Sequence, residues 1–260
     1  RPDVDVSLVN HGNGIAATMN AIDATTTGLV NATAYTTITG TVSAVLDAVN
    51  DQAQMDTAAN VALTLAAGTA TAADLNTLDA ATTGLVDAVA ITSITGTAAE
   101  LEDAIDDQAQ LQTLATVAIT VAAGVAAAAD LNAIDDATLG LVNATAVTEI
   151  TGSVAAVIDA TDVQGEMSTG AAVLVTLDAG VATAADLNTI NGVTTGLVNA
   201  TAITSITGLA ADVLNAVDSQ SEMSTAANVA VTVSAGVATA ADLNAIDAAT
   251  TGLVNATAVT

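Results

Sequence analysis

The chain has 260 residues, with 28 acidic side chains against a single basic one, Arg1, which gives a formal net charge of −27. Contacts to phosphate need Lys and Arg, so nucleic acid and anionic membrane surfaces are not expected as partners. The absence of cysteine excludes a disulfide framework and thiolate chemistry. The uncharged run 187–211 is broken by Asn, Gly and Thr residues, so no membrane insertion is predicted.

The first residues depart from the pattern of the rest, and we assign 1–14 to an atypical N-terminal cap or junction. Val4, Val6 and Leu8 alternate like a strand, one position out of phase with the corresponding residues of the repeat, Val61, Leu63 and Leu65. A cap, a junction and a slipped strand all fit this pattern. The only histidine, His11, has no serine or second histidine near it in sequence and is interpreted as a turn residue.

Residues 15–260 form one continuous array with a period of 28 residues. Threonine marks the period at Thr36, Thr64, Thr92, Thr120, Thr148, Thr176, Thr204 and Thr232. Two kinds of 28-residue repeat alternate, because an asparagine recurs only in every second one, at Asn20, Asn76, Asn132, Asn188 and Asn244. We call two successive repeats the double repeat. A fixed period in this range without insertions is typical of a solenoid.

The repeat that follows Gly68 predicts a helix beginning after Thr71, whose side chain can cap the helix N-terminus. Leu75 and Leu78 give this helix one apolar stripe. Gly84 is predicted to end it, because glycine is the residue that most often follows a helix C-terminus.

The repeat that follows Gly96 predicts a helix that begins at Thr97 and extends to about Leu111. Its spacing buries Leu101, Ala104 and Ile105 and exposes the acidic residues between them. The position of Leu111 is also predicted to belong to the core, because it carries a large apolar residue in each double repeat: Met55, Leu111, Met167 and Met223.

The segments between the helices alternate as strands, for example at Val117, Ile119 and Val121. Strand, helix and strand with short connections predict a parallel sheet backed by helices. The fold class is therefore an α/β tandem-repeat solenoid in which each 28-residue repeat makes one strand–helix coil. The last residue, Thr260, falls inside a strand, which favours either an excerpt of a longer array or a strand completed by a neighbouring molecule.

The threonine column predicts a ladder along one face of the sheet. Strict alternation places Thr92 opposite Ile91 and in a row with Ala90 and Ile94. One interpretation is structural, since β-branched residues suit a parallel sheet and their hydroxyls can bond along it. The other is a flat surface for lateral association or ordered water, as on ice-binding solenoids, although Glu149 interrupts it.

Acidic residues recur in two columns on the predicted helices. One column contains Asp23, Asp79, Asp135 and Asp247, and the other contains Asp47, Asp103 and Asp159. A solvated helix face is the simplest interpretation. Carboxylates without cationic partners could instead bind Ca²⁺, and the candidate ligands are Asp79, Asp103, Asp135 and Asp159.

A glycosylation sequon recurs at Asn31, Asn143, Asn199 and Asn255, each followed by Ala and Thr. Asp87 occupies the same position once. We interpret these asparagines as stabilising a turn through the side-chain oxygen, because Asn and Asp can both do so and only Asn can carry a glycan.

The segments Gly140–Gly152 and Thr97–Leu101 resemble tandem repeats in giant surface proteins of marine cyanobacteria. The resemblance implies a structural or motility-associated role at the cell surface and carries over no catalytic residue. The helix–strand period also resembles leucine-rich repeats in shape, but the asparagine-bearing strand motif of that family is absent.

The sequence therefore leads us to expect an extracellular or cell-surface structural protein. It would form a fibre, filament or surface layer through stacked coils and end-to-end association with copies of itself. An enzyme is not expected, since no phosphate loop, paired-carboxylate motif or nucleophile–histidine motif is present. The alternative is a binding or adhesion module that uses the flat Thr/Ala sheet face for ice, a glycan or a protein partner.

Overall fold

The computed structural model describes residues 1–9, 12–50, 53–106, 109–162, 167–218 and 221–260. The interpretation of His11 therefore lies outside the described residues. The chain divides into two compact units, Arg1–Val121 with Ala133–Val142 and Ala122–Asn132 with Asn143–Thr260. The predicted boundary at residue 14 is not tested by this division and stays a prediction.

Short helices recur along the described chain. They are α1 (Ala16–Asp23), α2 (Val42–Asn50), α3 (Ala72–Ala81), α4 (Ala98–Asp106), α5 (Ala128–Ala137), α6 (Val154–Thr161), α7 (Ala184–Val193), α8 (Ala210–Asp218) and α9 (Ala240–Ala249). In the first unit α1 to α4 pack against each other in succession, and in the second unit α6 to α9 do the same.

Strands of two to six residues separate the helices. In the first half of the chain they are β1 (Val6–Ser7), β2 (Asn13–Ile15), β3 (Val30–Asn31), β4 (Thr37–Gly40), β5 (Met55–Asp56), β6 (Ala62–Leu65), β7 (Gly68–Thr71), β8 (Val86–Ala88), β9 (Ile91–Gly96), β10 (Leu111–Thr113) and β11 (Ala118–Val121). They continue with β12 (Gly124–Ala127), β13 (Val142–Ala144), β14 (Val147–Gly152), β15 (Met167–Thr169), β16 (Leu174–Leu177), β17 (Gly180–Thr183), β18 (Val198–Ala200), β19 (Ile203–Gly208), β20 (Met223–Thr225), β21 (Ala230–Val233) and β22 (Val254–Asn255).

The strands form parallel sheets, which confirms the predicted α/β repeat solenoid. The first unit contains the strand orders β1–β3–β5, β2–β4–β6–β8–β10 and β7–β9–β11. The second unit contains the orders β12–β14–β16–β18–β20 and β17–β19–β21–β22. Strands that are neighbours in a sheet are separated along the chain by a helix or by another strand, as parallel pairing requires.

The predicted size of the coil is wrong, because one turn of the chain takes fewer residues than one repeat. Ile94 pairs with Ala70 of the preceding turn and with Ile119 of the following one. Side-chain bonds between successive turns show the same spacing, since Thr92 and Gly68 are 24 apart and Thr39 and Gly14 are 25 apart. The repeat of 28 residues is longer than one turn of the solenoid, and the difference is about the number of residues in one turn of an α-helix. The start of each helix is therefore shifted along the solenoid turn relative to the start of the preceding helix.

This offset also explains why each sheet stops after a few strands. Within the second unit, the position one turn before Ala182 of β17 falls at Ile158, which lies in α6 rather than in a strand. Within the first unit, the position one turn before Ala70 of β7 falls at Leu46 in α2. A strand whose predecessor position is helical has no partner on that side.

The predicted helix starts are confirmed, whereas the predicted ends are wrong. The Thr71 hydroxyl accepts a hydrogen bond from the Asp74 N–H at 3.1 Å, and α3 begins at Ala72. The helix ends at Ala81, before Gly84, and Thr82 already has extended backbone angles. In the next repeat α4 ends at Asp106, and Leu111 lies in a strand.

Gly84 is required by a close approach of two main-chain segments. A Cβ atom at this residue would lie 2.5 Å from the carbonyl oxygen of Val61. Thr82 bonds to the same carbonyl: its hydroxyl donates to Val61 O at 2.6 Å and accepts from the Gly84 N–H at 2.9 Å. The Thr82–Gly84 pair therefore fastens one turn of the chain to the turn before it.

This connection recurs once in each double repeat with the same geometry. The buried threonines that make it are Thr26, Thr82, Thr138, Thr194 and Thr250. A second recurrent bond joins neighbouring helices, since the Asn76 side chain donates to the Glu100 carbonyl at 3.0 Å. Asn20, Asn132 and Asn188 make the equivalent bonds to Ala44, Ala156 and Asp212.

The core is aliphatic, since the chain contains no Phe or Trp. Leu75, Leu78, Leu101, Ala104 and Ile105 are all buried, which confirms the apolar stripes of both kinds of helix. The column of large apolar residues that marks the double repeat is also buried: Met55, Leu111, Met167 and Met223. They reach the core from strands that follow the helices.

The N-terminal segment is a slipped strand, one of the three alternatives. Val6 pairs with Val30, whereas in the next double repeat Leu63 pairs with Val86, so β1 takes the same place one residue early. The Thr26 hydroxyl bonds to the Val4 carbonyl, as Thr82 bonds to that of Val61. The strand keeps the connection to the next turn despite the shift in phase.

Candidate functional site

The solvent-facing side of the sheets is the surface that the threonine pattern identifies. In the second unit, Ile206 of β19 and Val231 of β21 point into the core and are 0% and 1% exposed. Their neighbours Ser205, Thr207, Ala230 and Thr232 point outward. In an acidic chain, this outer face of β19 and β21 carries no charged side chain.

The threonine column does not form a single ladder, so that part of the prediction is wrong. Every second member pairs with a threonine of the preceding turn: Thr64 with Thr39, Thr120 with Thr95, Thr176 with Thr151, and Thr232 with Thr207. The strand on the other side presents Asp87 to Thr64, Asn199 to Thr176 and Asn255 to Thr232. The shorter turn separates residues that occupy the same place in successive repeats.

The alternate members Thr92, Thr148 and Thr204 occupy β-bulges. Gly180 pairs with Ile203 and Val181 pairs with Ser205, which leaves Thr204 as the extra residue of β19. The bulge changes the alternation, so Ile91 and Ile94 are both buried and Ile94 does not lie in a row with Thr92. Thr36 lies just before β4, and its N–H donates to the Gly12 carbonyl.

The threonines that complete the pairs, Thr39, Thr95, Thr151 and Thr207, were missed in the sequence. They recur once in each double repeat, immediately before Gly40, Gly96, Gly152 and Gly208. This periodicity could have identified them as a fixed position of the double repeat. Their pairing with the other column could not be read from it.

The sequon asparagines stabilise turns, as predicted. The Asn199 Oδ1 atom accepts from the Thr201 N–H at 3.2 Å and from the Thr201 hydroxyl at 2.7 Å. Asn31, Asn143 and Asn255 make the same pair of bonds. Asp87 makes the equivalent bond to the Val89 N–H at 3.2 Å.

The two acidic columns meet at a groove in the first unit. The groove has a volume of about 640 Å³ and crosses the outer side of α1, α2 and α3. Asp23, Asp47 and Asp74 line it together with Asn20 and Asn50. The Asn20 Oδ1 and Asp23 Oδ1 atoms are shielded from solvent and accept no hydrogen bond from the described residues. Oxygen atoms of this kind are the ligands that Ca²⁺ prefers.

The four candidate calcium ligands lie on separate helices: Asp79 on α3, Asp103 on α4, Asp135 on α5 and Asp159 on α6. Within the described part of the chain, no three acidic, histidine or cysteine side chains come close enough to share one ion. Calcium binding by these residues stays a prediction.

The N-terminal end of α4 alters the titration of Glu100. The Thr97 N–H and the Thr97 hydroxyl both donate to Glu100 Oε2, at 3.0 and 2.9 Å. Both bonds favour the ionised carboxylate and hold the pKa of Glu100 below its ordinary value, and the bond from the main-chain N–H has the larger effect. The Glu100 N–H donates back to Thr97, which completes a capping box at the start of α4.

No helix in the described ranges combines the length and the apolar character that crossing a membrane requires. No family model matches the chain, and neither a curated protein nor a solved structure matches it.

Proposed function

We propose that the chain is a structural repeat module of an extracellular fibre, filament or surface layer, without catalytic activity. The observation that carries the proposal is the recurrent Thr–Gly connection between turns, for example from Thr82 to Val61. Each such threonine is buried and its bonds go to the main chain, as those of Thr194 do. The most regular polar residues of the array thus serve to hold it together.

The asparagine that marks the double repeat supports the same proposal. Its side chain bridges from one helix to the main chain of the next, as from Asn188 to Asp212. The resemblance of Gly140–Gly152 to cell-surface tandem repeats agrees with such a role. A charge of −27 is easier to tolerate in salt water, where screening shortens the range of repulsion.

Self-association through the outer sheet face is the way in which such a module would assemble. The outer positions of β19 and β21 are small, β-branched and uncharged. Two such faces can approach each other without bringing carboxylates together, whereas the acidic helix faces repel each other. Assembly through this face should therefore strengthen as salt screens the helices.

The test measures particle size by light scattering and electron microscopy in saline buffer. A Thr207→Asp/Thr232→Asp variant places two charges on the outer face, and a matched variant, Ala185→Asp, places a charge on exposed α7. The proposal expects filaments or sheets that the first variant disperses and the second preserves. A wild-type chain that stays monomeric at high concentration would contradict it.

The uncharged outer face also favours a second candidate, a binding or adhesion module for ice, a glycan or a protein. Paired threonines such as Thr207 and Thr232 present methyl and hydroxyl groups at regular spacing. Thermal hysteresis and binding to a glycan array would test it with the same Thr207→Asp/Thr232→Asp variant. Activity that this variant abolishes in a monomeric protein would favour binding over assembly.

A further inference from the structure

A groove lies beside the unpaired side of β17 in the second unit, and we refer to it as the β17 groove. It has a volume of about 960 Å³. Val181, Ala182 and Thr183 of β17 form one wall, and Val154, Ala155 and Ile158 of α6 form part of the other. A cavity of this size is within the range of sites that bind small ligands or peptide side chains.

The groove results from the difference between the turn and the repeat. One turn before β17 the chain is in α6, so a helix occupies the place where a preceding strand would lie. In the described chain, β17 is the first strand of its sheet and pairs with β19 alone. Its other edge faces the groove.

An unpaired strand edge is a template for another strand. Alternate residues of such an edge direct their N–H and C=O groups away from the existing neighbour. At the centre of this edge the Val181 side chain is 73% exposed. An extended peptide laid along β17 would therefore find both main-chain partners and an apolar contact.

The charges around the groove indicate what kind of peptide fits. Asp159, Asp162 and Asp186 line it, and no basic residue does. The chain has only one basic side chain, Arg1, so a second copy would bring further carboxylates to an acidic rim. A segment that carries Lys or Arg beside apolar residues is complementary in charge.

We propose that the β17 groove binds an extended, basic segment of another protein, which adds as a strand to the edge of β17. Its main-chain groups pair with the strand edge, an apolar side chain contacts Val181 and Ile158, and flanking Lys or Arg side chains lie near Asp159 and Asp186. Strand addition of this kind is a common way of recognising a peptide.

The first unit contains a natural comparison for this groove. A cavity of about 400 Å³ lies beside β7. One wall is formed by Thr69, Ala70 and Thr71 of β7, and the other includes the start of α2, with Thr41, Val42 and Ser43. The geometry corresponds, but Thr69 stands where β17 has Val181, and the cavity is smaller. The β7 cavity is therefore expected to bind the same peptide more weakly.

The experiment titrates the full chain with a short, capped, fluorescent peptide of alternating Lys and Val, followed by anisotropy and by NMR of the Val181 amide. Two further peptides serve as controls, one with Glu in place of Lys and one with alternate main-chain nitrogens methylated. The proposal expects binding of the first peptide alone, with slower hydrogen exchange at Val181. Equal binding of the methylated peptide would overturn it, because strand pairing would then not be involved.

Variants of the chain separate the groove from general attraction between opposite charges. Val181→Thr introduces the residue that the first unit has at this position, Thr69, and should weaken binding roughly tenfold through the lost apolar contact. Asp159→Asn should weaken it by roughly threefold to tenfold, while the charge-matched Asp247→Asn on α9, outside the groove, should not. Equal effects of the two Asp variants would overturn the proposal. A change of oligomeric state in Val181→Thr would also overturn it, because the groove would then serve contacts between copies of this chain.

Discussion

The hydroxyl of Thr204 donates a hydrogen bond to the main-chain carbonyl of Gly180 at 2.9 Å. Thr204 is the extra residue of a β-bulge, and Gly180 is the first residue of the neighbouring strand. The same bond joins Thr92 to Gly68 and Thr148 to Gly124, at 3.1 Å in both cases. A recurrent surface threonine thus satisfies a carbonyl at each of these irregularities of the sheets.

Replacement of this hydroxyl should destabilise the bulge slightly. Thr204→Val keeps the β-branched shape and removes the donor, and we expect a loss of about 0.5 to 1 kcal/mol in unfolding free energy, because the exposed carbonyl can bond to water instead. Thr176→Val, at a regular outward position of β16, is the matched control and should change stability less. Urea denaturation measures both. A larger loss in the control would contradict the role of the bulge.

The buried threonine of the turn connection should matter more. Thr194 donates to Val173 O at 2.6 Å and accepts from the Gly196 N–H at 2.9 Å. Thr194→Val leaves both main-chain groups without this partner in a buried place, and we expect a loss of about 1 to 3 kcal/mol. Thr195→Val next to it, where the hydroxyl is exposed, should have a smaller effect in the same denaturation experiment. Similar losses in the two variants would argue against the connection.

Gly84 should tolerate no side chain. Gly84→Ala places a Cβ atom against the Val61 carbonyl oxygen and forces two turns of the chain apart, at an expected cost of about 3 kcal/mol. Gly68→Ala, where nothing lies within 4 Å of the new atom, should leave stability almost unchanged. Thermal melting followed by circular dichroism compares them. A mild effect at Gly84 would mean that the two segments are not in such close contact.

The capping box of α4 predicts a dependence on pH. The pKa of Glu100 is lowered in the folded state, so this group contributes stability above the pKa of the unfolded chain and loses it as the pH falls through the folded pKa. Thr97→Ala removes the hydroxyl bond and should raise the pKa of Glu100 towards its ordinary value. An NMR titration of the Glu100 carboxyl carbon in both proteins measures this. An unchanged pKa in the variant would assign the effect to the main-chain N–H alone.

Divalent cations should stabilise the chain beyond their effect on ionic strength. The chain has 28 acidic residues and a single basic one, and Asp23, Asp47 and Asp74 line one groove, so carboxylates are available to bind a cation. We expect a higher melting temperature in CaCl₂ than in NaCl at matched ionic strength. Asp23→Asn/Asp47→Asn should reduce the difference, whereas Asp3→Asn/Asp178→Asn, outside the groove, should preserve it. Coincident curves in the two salts would leave screening as the only effect.

The sequence by itself determined where the helices begin, that strands lie between them, and which apolar side chains are buried. Thr71 and Thr97 predict the starts of two helices, and Leu75 and Leu101 lie in the core as predicted. The short connections between strands and helices require parallel sheets. These features depend on neighbours a few residues away, so a single repeat contains the information.

Only the tertiary structure decided which turn of the chain lies against which residue. The period of 28 counts residues per repeat, whereas pairing depends on the shorter length of one turn, which brings Ala70 and Ile119 beside Ile94. That length is set by the bulges and by the close approach of Gly84 to Val61, which are contacts between distant parts of the chain. The pairing of strands depends on how successive turns pack and not on the length of the repeat. For this reason the threonine column is divided between bulges and cross-strand pairs, and the edge of β17 faces a helix.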